Sequence, residues 1–102
     1  MQIKITEKSS FALLEILADN GNPASPQNPV DEQSELGKVN FPEANGQLAV
    51  ISGMPVSAVA LVALHYKNLF GATAIANPRL GVALVVHSTN PAYPMGASIP
   101  LA

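Results

Sequence analysis

Arg79 is the only arginine of the chain, set in Asn77-Pro78-Arg79-Leu80-Gly81, and no aspartate or glutamate occurs after Glu43. A planar guanidinium without acidic neighbours in sequence suits phosphate, which it can hold through two parallel hydrogen bonds. Ser52-Gly53-Met54-Pro55 is a second candidate. It reads as a turn from a strand into a helix, where unpaired backbone N–H groups and the positive end of the helix dipole form an anion seat. It lacks the glycine density of a phosphate loop. His65 and Lys67 follow toward the end of that helix, and His87, Ser88 and Thr89 end a run of valines. His65 reads first as a capped or partner-packed histidine; His87 is able to line a crevice, but a lone histidine there is more often satisfied structurally. A Ser–His–Asp set cannot be assembled here, because no carboxylate is present to orient a base.

The charge distribution sharpens these exclusions. Of 102 residues, 48% are apolar and 12% charged, with a net charge of −2. Residues 1–44 carry all seven carboxylates with Lys4, Lys8 and Lys38, whereas residues 45–102 carry only Lys67 and Arg79. The second half alone therefore cannot supply paired-carboxylate catalysis or a cage of acidic oxygens for a hard cation. No bulk positive field exists to gather duplex DNA or an anionic membrane. The absence of cysteine removes disulfides, zinc-thiolate sites and thiol nucleophiles. Lys4, Glu7 and Lys8 interrupt the first apolar stretch, so nothing resembles a signal peptide, and a cytoplasmic protein is expected.

These groups must be positioned by one domain, residues 1–102. Residues 2–8 alternate Ile3 and Ile5 with polar neighbours, the pattern of a half-buried strand. Residues 11–18 stay open on pattern alone: Ser10 and Asn20-Gly21 could cap a helix, while Phe11, Leu13, Glu15 and Leu17 could share one strand face. Residues 19–45, with Pro23, Pro26, Pro29 and Pro42, read as a long mobile loop with a short turn of helix at 30–36.

Gly46–Leu64 is uncharged over 19 residues, long enough to raise the alternative of a membrane span. Pro55 with Ser52, Gly53 and Ser57 at its centre favours strand 47–51, turn 52–54 and helix 55–69 instead. Strands at 72–76 and 82–87, separated by the turn 78–81, and an apolar segment at 99–101 complete the chain. Strand, helix and strand make a βαβ unit with a right-handed crossover. The predicted fold is α/β in the α+β sense: a small mixed sheet with an N-terminal hairpin, one βαβ unit within 46–101 and a long Pro-rich loop. Parallel strand tips lie side by side, so the 52–54 turn and Asn77–Arg79 are expected to face one crevice without negative side chains. A helix apolar nearly all round, in a chain this poor in charge, predicts a covered apolar face and hence a homodimer or higher homo-oligomer.

Ile51-Ser52-Gly53, a helix opened by Pro55, the Asn77–Gly81 turn, the valine strand, then Ser88, Asn90-Pro91-Ala92-Tyr93, Gly96 and Ile99 resemble the CRISPR-associated ring nucleases of the Csx-three family. The likeness covers about residues 39–99, and Pro78-Arg79-Leu80-Gly81 is its most specific part. It implies that residues 11–18 form the second strand of a hairpin. It also implies a homodimer stacking into tetramers, which sandwiches cyclic tetra-adenylate, the second messenger of type III CRISPR defence, and cleaves it with manganese. By that resemblance Ser52, Gly53, Met54, Asn77, Arg79, Ser88 and Thr89 bind the ligand, and Arg79, Lys67 and His65 are the catalytic candidates. Asn77 stands where the family carries a metal-binding aspartate, Met54 replaces Arg-Gly of its Ser-Gly-Arg-Gly-Pro turn, and Thr89 and Lys67 fall at its histidines. A neutral amide holds a divalent ion far more weakly than a carboxylate. Two readings follow: a divergent ring nuclease, or a catalytically inactive module that binds a cyclic nucleotide or serves as an assembly subunit. A structural oligomer without ligand is the third.

Overall fold

The computed structural model describes residues 1–18, 20–25, 27 and 39–101; the helical turn expected at 30–36 lies outside them. Its strands are β1 (Gln2–Glu7), β2 (Ala12–Leu17), β3 (Gly46–Ser52), β4 (Phe70–Asn77), β5 (Val82–Ser88) and β6 (Ser98–Pro100), with one described helix, α1 (Val56–Tyr66). They form a single mixed sheet in sequential order, β1 to β6. β1–β2 is an antiparallel hairpin, β2–β3 and β3–β4 are parallel, and β4–β5 and β5–β6 are antiparallel. The expected hairpin, βαβ unit and long connection are all present, and the class is α+β.

Residues 11–18 become a strand because both of its sides find apolar cover. Ala12, Leu14 and Ile16 are buried with Ala49, Ile51 and the inner stripe of α1, while Phe11 and Leu13 pack on the opposite sheet face with Leu48 and Val50. An apolar run without clean alternation is what a strand covered on both faces requires. Burying side chains such as Leu14, Ile16 and Ile51 stabilises the fold by about 1.5–3 kcal/mol each.

α1 starts after Pro55, whose carbonyl accepts from the Ala58 and Val59 amides at 3.0 and 3.1 Å. Ala58, Val59, Val62 and Tyr66 are its buried side. The helix is three residues shorter at its C-terminal end than the pattern 55–69 predicts, since Leu69 already donates back to the Tyr66 carbonyl to turn into β4. The opposite side of α1 is open in the single chain: Val56 is 84% and Leu64 63% exposed. None of the described helices is long and apolar enough to cross a membrane, and the uncharged 46–64 stretch is divided between β3, a turn and α1.

Candidate functional site

The carboxyl ends of β3 and β4 are neighbours, as the sequence predicts: Ile51 pairs with Ile75, and each strand ends within two residues of that pair. Beyond them the chain turns twice. Ser52-Gly53-Met54 leads through a cis Met54–Pro55 bond into α1. Asn77–Gly81 closes the β4–β5 hairpin, with Leu80 donating to the Asn77 carbonyl at 3.1 Å and Gly81 to Pro78 at 3.3 Å. Gly81 has φ +69°, a conformation that side chains oppose and that lets the chain reverse here. The hairpin holds Asn77, Arg79 and Leu80 at the surface, lining an open depression of about 340 Å³.

Gly53 has a structural reason to be glycine. At φ +145° a Cβ would lie 2.6 Å from Cβ of Ile16, so the turn is pressed against the end of β2. Past the last β2–β3 partners, Glu15 and Ser52, β2 pairs with its own return. Ala24 donates to the Ile16 carbonyl at 3.2 Å and Ala18 to Asn22 at 2.9 Å. At the helix entry, the Val59 amide makes the first ordinary helical bond to the Pro55 carbonyl, and the Ala58 amide shares that acceptor. Arg79 on the β4–β5 hairpin and Lys4, in register with Glu15 and Ser52, are cationic groups of this end.

The remaining candidates lie elsewhere. β5 runs antiparallel to β4, pairing Val82 with Asn77 and Ser88 with Ala72. Ser88 and Thr89 are thus at the opposite end of the sheet, about 20 Å from Asn77 at the rise of an extended strand. Thr89 is tied there by its amide to the Gly71 carbonyl at 2.8 Å, and Ser88 Oγ exchanges hydrogen bonds with the Asn90 backbone at 2.9 and 3.0 Å. His65 and Lys67, at the C-terminal end of α1, belong to this same far end because β4 begins at Phe70. The expected site residues therefore form two groups: Ser52, Gly53, Met54, Asn77 and Arg79 at one end, and His65, Lys67, Ser88 and Thr89 at the other.

His65 stacks on Phe41, and Tyr66 beside it donates its hydroxyl to the Pro42 carbonyl. Burial raises the Tyr66 pKa above its ordinary value. Phe41, Glu43 and His65 share the wall of an open cavity of about 330 Å³. His87 faces Thr73 across the β4–β5 ladder at a register shift, far from the Asn77 crevice. Its Nδ1 and Thr73 Oγ1 are buried without a hydrogen-bond partner among the described residues.

Sequence reasoning missed one group. Glu15 is the Cα partner of Ser52 and of Lys4, so a carboxylate from the N-terminal hairpin reaches the tip of β3. The expectation of a tip region free of acid is corrected there, while the depression around Arg79 has no acidic wall among the described residues. The signal was present in Glu15 itself, a charge inside an otherwise apolar strand, but its neighbour depends on β2–β3 register.

Manganese needs oxygen donors carrying charge. Among the described residues no three His, Cys, Asp or Glu are grouped to hold an ion, and Asn77 contributes only a neutral amide. These residues do not fit the manganese that the resemblance implies. No family model matches the chain, and no curated protein does.

Proposed function

We propose that this chain is a divergent CRISPR ring nuclease-like protein, a cytoplasmic homo-oligomer that binds cyclic tetra-adenylate through Arg79 and can open the ring. The observation that carries the reading is the Asn77-Pro78-Arg79-Leu80-Gly81 hairpin at the tip of β4, exposed, beside the tip of β3. A symmetric polyanion matches a guanidinium that has no acidic partner among the described residues, repeated by oligomer symmetry. Because His65, Lys67, Ser88 and Thr89 lie at the other end, a ligand that touches both groups sits between copies stacked end to end. The exposed Val56 and Leu64 of α1 supply apolar surface for association.

In ring opening, a ribose 2′-oxygen attacks the adjacent phosphorus, the P–O5′ bond breaks, and the strand ends as a 2′,3′-cyclic phosphate and a 5′-hydroxyl. Arg79 of one copy and Lys67 of another would stabilise the charge on the phosphorus oxygens. A second reading, binding without cleavage, is favoured by the neutral Asn77 and by the donor set described above.

Purified protein incubated with cyclic tetra-adenylate, with and without manganese, tests both. Linear fragments support ring opening, and a raised melting temperature with an intact ring supports binding alone. Neither response leaves a structural oligomer.

A further inference from the structure

Resting on that reading, we infer that Glu15 accepts a hydrogen bond from a ribose 2′-hydroxyl of the ligand and so makes the site selective for a ribonucleotide ring over its deoxy counterpart. The argument begins with register. Lys4, Glu15 and Ser52 are consecutive cross-strand neighbours on β1, β2 and β3. Side chains alternate along a strand, and Leu13 and Val50, two positions before Glu15 and Ser52, both pack in the cluster on the face away from α1. Glu15 and Ser52 therefore belong to that face, in the last row of the β2–β3 ladder.

The same row continues onto small residues. Ile51 pairs with Ile75 and Ala76 with Ala83, so Ala76 stands beside Ser52 and Ala83 beyond it. The row is thus a polar shelf of Lys4, Glu15 and Ser52 beside the half-buried Ala76, with Ala83 fully buried beyond it. Glu15 and Ser52 are half-buried and Lys4 is exposed. Partial burial strengthens a hydrogen bond to a carboxylate relative to open water.

Charge sorts what this shelf can take. An ionised carboxylate only accepts, so it repels phosphate and prefers a hydroxyl donor, and the phosphate falls to Arg79. Two strand spacings, about 10 Å, separate Glu15 from Ala76 in this row, and Arg79 follows three residues beyond Ala76 in the turn after β4, so a ligand that meets both reaches from the row to the turn. In a 3′,5′-linked ring the 2′-hydroxyl is the sugar's free donor, and it is the group by which a protein tells RNA from DNA. A carboxylate at the end of the strand next to a strand–turn–helix junction plays this part toward ribose in dinucleotide folds; here that likeness is one of placement.

The test is equilibrium binding, in EDTA, of cyclic tetra-adenylate and of its all-2′-deoxy analogue to the 102-residue chain. Wild-type protein is expected to prefer the ribose ring by about tenfold or more, the scale of a hydrogen bond to a charged group. Glu15→Gln and Glu7→Gln, the latter an exposed carboxylate at the other end of the β1–β2 hairpin, each checked for an unchanged circular dichroism spectrum and oligomeric state, are compared. Glu15→Gln is expected to lose most of the preference while its affinity for the deoxy ring stays equal or improves. Glu7→Gln is expected to keep the preference. Equal wild-type affinity for both rings overturns the role of Glu15 and leaves the proposed function standing, as does an undiminished preference in Glu15→Gln. Failure of the wild type to bind either ring overturns both.

Discussion

Phe41 and His65 lie face to face, their ring centroids 3.9 Å apart and their planes 9° from parallel. Phe41 lies in the connection between β2 and β3, five residues before Gly46, and His65 sits on the last turn of α1, so the stack clamps this stretch to the helix. Tyr66 completes the clamp, edge-on to both rings and hydrogen-bonded to Pro42. Tyr66→Phe is expected to cost about 0.5–1.5 kcal/mol, the net worth of one hydrogen bond, and Phe41→Ala to cost at least the 0.5–1.5 kcal/mol typical of an aromatic pair. Denaturant midpoints of the two variants measure both.

Alkaline pH separates the hydroxyl from the ring. The folded-state pKa of Tyr66 is raised by burial, so the native state holds the phenolic proton more tightly than the unfolded chain. The stabilisation is complete below the unfolded value near 10 and is lost as pH rises through the higher folded value. Wild-type stability is expected to fall above about pH 10 more steeply than that of Tyr66→Phe. Parallel curves for the two proteins would show that Tyr66 is not responsible.

Gly53→Ala is expected to be among the most damaging single substitutions outside the core. The new Cβ would fall 2.6 Å from Ile16 Cβ, in a φ of +145° that side chains avoid. Strain of this kind costs roughly 1–3 kcal/mol before the overlap is counted. Ile16→Ala keeps the offending Cβ, so the double variant should remain destabilised. Thermal melts showing full rescue by Ile16→Ala would instead assign the clash to the outer carbons of Ile16.

Much of this architecture is legible from residue pattern, for reasons visible at single positions. Pro55 breaks the uncharged 46–64 stretch into strand and helix, and Gly81 with Pro78 marks the hairpin that carries Arg79. Residues 11–18 are ambiguous because Leu13 and Leu14 are both covered, and a strand packed on two faces loses its alternation. The grouping of site residues is harder still. A strand returning antiparallel from Asn77 carries Ser88 and Thr89 to the other end of the sheet, while Glu15 meets Ser52 through a parallel pairing that no local signal specifies. Proximity in sequence misleads in the first case, and distance in sequence conceals in the second.

Arg79→Ala is expected to weaken cyclic tetra-adenylate binding by about 1.5–3 kcal/mol, the range for hydrogen bonds to a charged group, with little change in melting temperature because the residue is exposed. Lys67→Ala should weaken binding too, although Lys67 lies at the far end. If each site joins the tip of one copy to the base of another, mixing the two variants restores intact sites, about a quarter of the total in a random stacked assembly. Titration of the mixture against each variant alone decides this. No gain on mixing would place both residues in the site of one chain or remove Lys67 from it.

Asn77→Asp tests the tip of β4 as a place for a divalent ion. A carboxylate at this position, at the end of β4 and two residues from Arg79, would give a divalent ion its first charged donor there. Wild-type ring opening is expected to respond little to manganese, and Asn77→Asp to gain a manganese-dependent rate together with weaker ligand binding in EDTA, since the new charge repels phosphate until a cation neutralises it. Rates at matched manganese concentrations, with the Arg79→Ala and Asn77→Asp double variant as control, read the two effects separately. A strong manganese response in the wild type would require charged donors from elsewhere in the assembly. An unchanged Asn77→Asp would show that position 77 does not face the ligand.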